Sequence, residues 1–136
     1  MKSSNSTATI QLVENYVECW KHLNHYLTLA RTKKFETEDE SEFLELKSVL
    51  AQQLEIVLAT VQPKFPTREE VHKLLAEVPS MRYLGEVGED VIRSAEGRWH
   101  RIYIGWQSIL GQLKVKQQEK PQSLFGFSLF RKAESR

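Results

Sequence analysis

Cysteine, glycine and proline are all scarce in this chain of 136 residues. The single cysteine, Cys19, excludes a disulfide within the chain and suits a reducing compartment such as the cytoplasm. There are only six glycines and four prolines, and no Asn-Gly or Asp-Gly pair separates alternating apolar segments as a hairpin turn would. The composition therefore predicts an all-α protein.

Long apolar runs and an excess of one charge are also missing. No run of about 18 apolar residues occurs and the N-terminus has no apolar signal segment, so we expect a cytoplasmic protein with no integral membrane segment. The net charge of +1 gives no overall field that would attract nucleic acid, which disfavours such partners. The length suits one domain. We assign residues 1–120 to a single helical-bundle domain and residues 121–136 to a phenylalanine-rich C-terminal tail.

The strongest pattern covers residues 91–118, where apolar side chains recur at alternating steps of three and four. This spacing puts them on one side of a helix, which at about 1.5 Å per residue is about 40 Å long. Two tryptophans stand one heptad apart in a stripe that consists of Ile92, Ala95, Trp99, Ile102, Trp106, Ile109 and Leu113. We expect this helix to run the whole length of a small bundle.

Three other segments also have helical periodicity. A first helix, capped by Ser6 or Thr7, extends to about residue 31, and a second covers about residues 39–61. A short third helix opens with a capping box formed by Thr67 and Glu70. Residues 80–90 predict either a separate helical turn or a bent entry into the long helix, because they contain two glycines.

The predicted fold is an antiparallel helical bundle of three long helices plus one short crossing helix, followed by the apolar tail. Three long helices close a core less completely than four, so we expect self-association into a homo-oligomer. The predicted core consists of Val13, Trp20, Leu23, Leu27, Phe43, Leu50, Leu54, Val57, Leu74, Ile92, Trp99, Ile102, Trp106, Ile109 and Leu113.

Metal-binding patterns are weak. His22 and His25 stand three apart beside Cys19, but both lie on the outer side of the first helix and no second pair of donors complements them. A di-iron bundle needs two Glu-x-x-His motifs, and only Glu69 to His72 matches. We predict no metal and no cofactor, and leave open whether His22 and His25 bind a metal.

One pattern suggests an enzyme. Arg93 is followed by six residues and then by His100. This spacing resembles the arginine-to-histidine spacing of small all-α domains of the HEPN class, which often act as dimeric ribonucleases. The resemblance implies that His100 would serve as general base on a 2′-hydroxyl while Arg93 would hold the phosphate. The alternative is that both residues belong to a solvated basic face.

The long helix contains three glycines, although glycine weakens a helix. Their presence inside an unbroken apolar pattern suggests that another helix or a partner approaches closely. Gly97 and Gly105 stand eight apart and share a face near Arg101. The alternative is that a stable bundle tolerates them.

The tail carries five large apolar residues around one glycine in a pattern that fits no helical period. It either folds back onto the bundle, enters a partner's pocket, or contacts a membrane surface. Residues 123–129, with their Ser-Leu pairs around a glycine, resemble the C-terminal cargo peptides that dock helical proteins inside encapsulin shells. The apolar residues of the tail are Leu124, Phe125, Phe127, Leu129 and Phe130.

The sequence as a whole favours a non-enzymatic protein-interaction module, an adaptor or small assembly subunit. We expect it to bind a protein partner or a second copy of itself through the long last helix, the tail or both. HEPN-like ribonuclease activity is the first alternative, and docking to a shell or membrane surface by the tail is the second. The predicted partner-binding residues are Gly97, Arg101, Gly105, Leu124, Phe125, Phe127, Leu129 and Phe130.

Overall fold

A computed structural model describes the backbone of residues 2–118 and the side chains of residues 6–118. Over this range the chain forms five α-helices and no strand, which confirms the all-α prediction. The helices are α1 (Lys2–Thr32), α2 (Thr37–Val61), α3 (Arg68–Glu77), α4 (Met81–Glu86) and α5 (Glu89–Gln118).

The long helices α2 and α5 both run antiparallel to α1. Along α1, Thr7 contacts Gln117, Glu14 pairs with Lys114 and Arg31 pairs with Glu89, so the partners on α5 are met in reverse order. The same reversal holds against α2, where the hydroxyl of Tyr26 meets Glu42 and that of Tyr16 meets Leu50. Helix α1 is therefore the central helix of the bundle.

Helix α3 packs against both α2 and α5, whereas α4 packs mainly against the C-terminal end of α1. Because α2 and α5 run in the same direction, residues 62–88 must travel back along the bundle to connect them. Arg68 in α3 forms two hydrogen bonds with Glu55 of α2, and Arg98 of α5 pairs with Glu77 of α3. The carboxylate of Glu40 in α2 accepts hydrogen bonds from the first backbone N–H groups of α4.

Helix α4 is the separate helical turn that was one of the two structures predicted for residues 80–90. The segment is a separate helix because Ser80 caps its start, where its hydroxyl accepts a hydrogen bond from the backbone N–H of Tyr83 at 3.0 Å. The carboxylate of Glu40, from a distant part of the sequence, accepts two more hydrogen bonds from the backbone N–H groups of Met81 and Arg82. The helix propensity of this short segment is therefore not the only source of its stability.

Helix boundaries differ from expectation at two N-termini. Helix α1 begins at Lys2 rather than after a cap at Ser6 or Thr7, and the hydroxyl of Thr7 instead accepts a hydrogen bond from Gln117 of α5. Helix α2 begins two residues early because the backbone N–H of Glu36 donates to the carboxylate of Asp39 at 2.9 Å.

The core lies where α1 meets the inner side of every other helix. Fourteen of the fifteen residues predicted for it are buried; Leu113 is half-buried and packs against the rest. The ring of Tyr16 stands edge-on to that of Trp106 with a centroid distance of 5.1 Å, which joins the apolar faces of α1 and α5. The apolar stripe of α5 thereby faces the core, and no element among residues 2–118 covers the opposite side of that helix.

Candidate functional site

The outward side of α5 carries a second stripe, which we call the outer stripe. Its members recur at steps of four and three, as helix neighbours on one face do. At about 100° per residue, Ile104 lies about 200° from the buried Trp106, so the outer stripe faces away from the core. The outer stripe consists of Gly97, Arg101, Ile104, Ser108, Gly111 and Val115, and all six residues are exposed.

Two large apolar side chains of the outer stripe face solvent. Ile104 is 48% exposed and Val115 is 54% exposed. Between them, Ser108 and Gly111 leave a shallow depression of about 570 Å³. A Cβ placed on Gly111 would have no atom within 4 Å, and the same is true of Gly97. The described part of the chain therefore gives no packing reason for glycine at these two positions.

Gly105 lies beside the outer stripe, and its lack of a side chain has an internal cause. A Cβ at this position would stand 2.9 Å from Cγ of Pro66 and 3.1 Å from Cδ2 of Phe65. The glycines of α5 predicted that another element approaches the helix closely. Such an approach is found at Gly105, and the approaching element is the chain's own α2–α3 connection. The Phe65–Pro66 peptide bond in that connection is cis.

Arg101 connects the outer stripe to the neighbouring α3 region. Its guanidinium lies over the ring of Phe65 at 5.0 Å from the centroid, and one of its nitrogens is 3.7 Å from Oε1 of Glu70. The same Glu70 oxygen is 3.5 Å from Arg98, at ion-pair distance without hydrogen-bond geometry. The side chain of Arg101 is nonetheless 60% exposed, so it remains available on the face of α5.

Arg93 and His100, the candidate ribonuclease pair, are both exposed on α5. A nitrogen of Arg93 lies 3.9 Å from Glu89 one turn earlier, and the ring of His100 lies beside that of Trp99 with a centroid distance of 6.2 Å. Seven helical positions separate the two residues, which is about 10 Å along the axis of one chain. Neither lines the groove that Ser6, Lys64 and Lys116 border at the end of the bundle.

The weak metal-binding pattern noted in the sequence lies on the outer side of α1. His22 and His25 are exposed there, and the ring of His25 stands edge-on to that of Tyr26 at 5.3 Å. Among residues 6–118, no three His, Cys, Asp or Glu side chains are grouped closely enough to hold a metal ion. Burial raises the pKa of the Cys19 thiol above its usual range, which makes it a poor nucleophile.

A groove lies at the end of the bundle where α1 begins and α5 ends. It has a volume of about 810 Å³. The described residues that line it include no His, Cys, Asp or Glu, and its only ionisable groups are Lys64 and Lys116. Its apolar lining includes Val61, Phe65, Ile109 and Leu113.

The five apolar residues predicted in the tail lie outside the described residues. The position of residues 121–136 relative to the bundle thus stays a prediction. None of the helices in the described range has a stretch both long enough and apolar enough to cross a membrane.

Comparison with protein-family models, with curated proteins and with solved structures finds no match for this chain. Function must therefore be argued from the residues and their geometry alone.

Proposed function

We propose that this chain is a non-enzymatic protein-interaction module of the cytoplasm, an adaptor or small assembly subunit, and that the outer stripe of α5 is its docking surface. The observation that carries the proposal is the exposure of Ile104 and Val115 on one face of α5 that no other helix of residues 2–118 covers. Ser108 and Gly111 between them leave room for the side chains of an approaching helix.

Single exposed apolar residues are normal on protein surfaces, so the arrangement matters more than the number. On α2, Ile56 is also 48% exposed, but the other exposed large apolar residue of that helix, Leu44, stands twelve positions away. Twelve positions correspond to about 120° of rotation, which puts the two on different faces. On α5, by contrast, Ile104 and Val115 are eleven positions apart, about 20° from alignment.

The two glycines of the outer stripe strengthen the argument. Glycine in a helix interior costs about 1 kcal/mol relative to alanine. Among residues 6–118, Gly97 and Gly111 have no neighbour that would require glycine. Close packing of a second helix against this face would supply the reason, because small residues allow helix axes to approach to about 8 Å.

The decisive comparison uses two substitutions on equally exposed isoleucines. Full-length chains carrying Ile104→Glu or Ile56→Glu are produced with an affinity tag, together with a differently tagged wild-type copy, in the cells that naturally make the protein. We expect Ile104→Glu to remove at least one associated chain, native or foreign, that Ile56→Glu retains. Equal association by both variants would contradict docking through α5.

The tail is the second predicted docking element. A full-length chain in which Phe125, Phe127 and Phe130 are replaced by serine tests it in the same assay. If this variant loses partners that Ile104→Glu keeps, the tail binds independently of the outer stripe. If both variants lose the same partners, the two elements contribute to one interface.

The ribonuclease hypothesis has its own test. If His100 were a general base, His100→Ala should lower RNA cleavage by the purified chain about 100-fold or more while leaving thermal stability unchanged. The proposed function predicts no cleavage that depends on His100 or on Arg93.

A further inference from the structure

The outer stripe contains large and small side chains in an order that is complementary to the same order read in the opposite direction. From N- to C-terminus the sizes are small, large, large, small, small, large. Read backwards, every small position coincides with a large one. The residues in order are Gly97, Arg101, Ile104, Ser108, Gly111 and Val115.

The reversal defines three pairs, each with position numbers that sum to 212. Gly97 pairs with Val115, Arg101 with Gly111, and Ile104 with Ser108. Two antiparallel copies of α5 that cross at the level of position 106 would bring these pairs together. Each large side chain would then enter the space above a small residue of the other copy, as close helix packing requires.

From this size pattern we infer that the occupant of the outer stripe is a second copy of this chain, bound antiparallel about a two-fold axis at the level of Trp106. A two-fold interface must be self-complementary, since each patch meets itself. The outer stripe meets that condition by its own sequence, whereas a foreign helix would have to supply a matching pattern. This inference rests on the proposed function, because it names the partner of the same surface.

The space observed at the small positions agrees with this pairing. A Cβ on Gly97 or Gly111 would meet no atom of the described residues within 4 Å, which leaves room at both positions for a side chain of a second copy. The aliphatic stem of Arg101 can cover Gly111 of the other copy while its guanidinium stays over Phe65. A parallel pair would instead place glycine against glycine and isoleucine against isoleucine, which leaves voids at one level and crowding at another.

The flanks of the outer stripe carry no opposed like charges in this arrangement. The same sum of 212 places His100 beside Gln112 and Ser94 beside Gln118 on the neighbouring copy. The nearest cationic pair, Arg98 and Lys114, lies further round the helix, where Arg98 already pairs with Glu77 and Lys114 with Glu14.

Disulfide formation between substituted cysteines tests both the partner and the direction. In a full-length Cys19→Ser background, three chains are compared: Gly97→Cys, Val115→Cys, and both together. Antiparallel pairing puts position 97 next to position 115 of the other copy, within the Cα separation of about 4.4–6.8 Å that a disulfide needs. It keeps the two copies of position 97 about 27 Å apart. We therefore expect the double variant to form a cross-linked dimer under mild oxidation and neither single variant to do so.

The matched control places cysteines at Ser41 and Ala59, which are exposed on α2 with the same separation of eighteen positions. This pair should give no more cross-linked dimer than the Cys19→Ser chain without added cysteines. A cross-link formed by either single α5 variant would overturn the antiparallel arrangement. The absence of any α5 cross-link, up to the highest concentration at which the chain stays in solution, would overturn the second copy as occupant. If no α5 cross-link forms but Ile104→Glu removes a foreign chain in the tagged-chain assay, the proposed docking function of the outer stripe is still supported.

Discussion

The indole nitrogen of Trp99 donates a 2.7 Å hydrogen bond to the main-chain carbonyl of Trp20, deep in the contact between α5 and α1. The other core tryptophan of α5, Trp106, is fully buried, yet its indole N–H has no acceptor among the described residues. Two residues of the same type on one helix face therefore differ in a single polar contact.

This difference makes Trp99→Phe and Trp106→Phe a matched pair. Both substitutions remove similar volume, but only Trp99→Phe breaks a hydrogen bond, while Trp106→Phe removes a buried donor without a partner. We expect Trp99→Phe to lower the free energy of unfolding by about 1 kcal/mol more than Trp106→Phe does. Urea denaturation followed by far-ultraviolet circular dichroism measures both. An equal or larger loss for Trp106→Phe would show that packing outweighs the hydrogen bond.

Alanine substitutions at the three glycines of α5 should have opposite signs. At Gly97 and Gly111 a Cβ meets nothing, so alanine should raise the free energy of unfolding of the monomer by about 0.5–1 kcal/mol. At Gly105 the Cβ would press on the rigid ring of Pro66, and we expect a loss of about 1–3 kcal/mol.

Thermal or urea unfolding of the three variants, at concentrations low enough to keep the chain monomeric, gives the comparison. The Gly111→Ala variant also reports on docking, because a methyl group there would obstruct a helix packed on the outer stripe. Higher monomer stability combined with weaker association would therefore support the proposed surface. Destabilisation by Gly111→Ala would mean that the chain itself needs glycine at this position.

Tyr16 should make stability fall at alkaline pH. Its hydroxyl donates a 2.8 Å hydrogen bond to the main-chain carbonyl of Leu50, and burial raises the pKa of the phenol above its ordinary value. An unfolded tyrosine ionises near pH 10, so above that pH the unfolded state releases the proton while the folded state retains it. The contribution of Tyr16 is thus intact below about pH 10 and decreases as the pH rises further.

The Tyr16→Phe variant isolates this effect. At neutral pH it should be less stable than the parent chain by about 1 kcal/mol, because the buried hydrogen bond is lost. Between about pH 9 and pH 11 the free energy of unfolding should fall more steeply for the parent chain than for the variant. Parallel pH profiles would indicate that Tyr16 ionises as easily in the folded chain as in the unfolded one.

Sequence periodicity predicted the core well because each long helix buries one continuous face. The stripe around Trp99 and Trp106 follows the helical repeat, and such a pattern depends on local spacing alone. Helix α4 was less predictable, since its N-terminus is stabilised by Glu40, which stands 41 positions before Met81 in the sequence. Contacts of that range leave no local signal.

The candidate surface was only partly predictable. Gly97 and Arg101 were expected to bind a partner, and both lie on the outer stripe, but Ile104 and Val115 were not singled out. Their signal was the second helical repeat on α5, which is hard to recognise because two small residues, Ser108 and Gly111, stand between its two large apolar members. The neighbour of Gly105 could not be predicted, because it depends on the path of the α2–α3 connection.

Light scattering coupled to size-exclusion chromatography tests the central claim most directly. We predict that the full chain and its Ile56→Glu variant have a mass of about twice the 15.9 kDa of one chain, and that Ile104→Glu has the mass of one chain. The substituted positions are equally exposed, so general surface effects cancel. A full chain that stays monomeric at every concentration, or an Ile104→Glu variant that remains a dimer, would contradict self-association through α5.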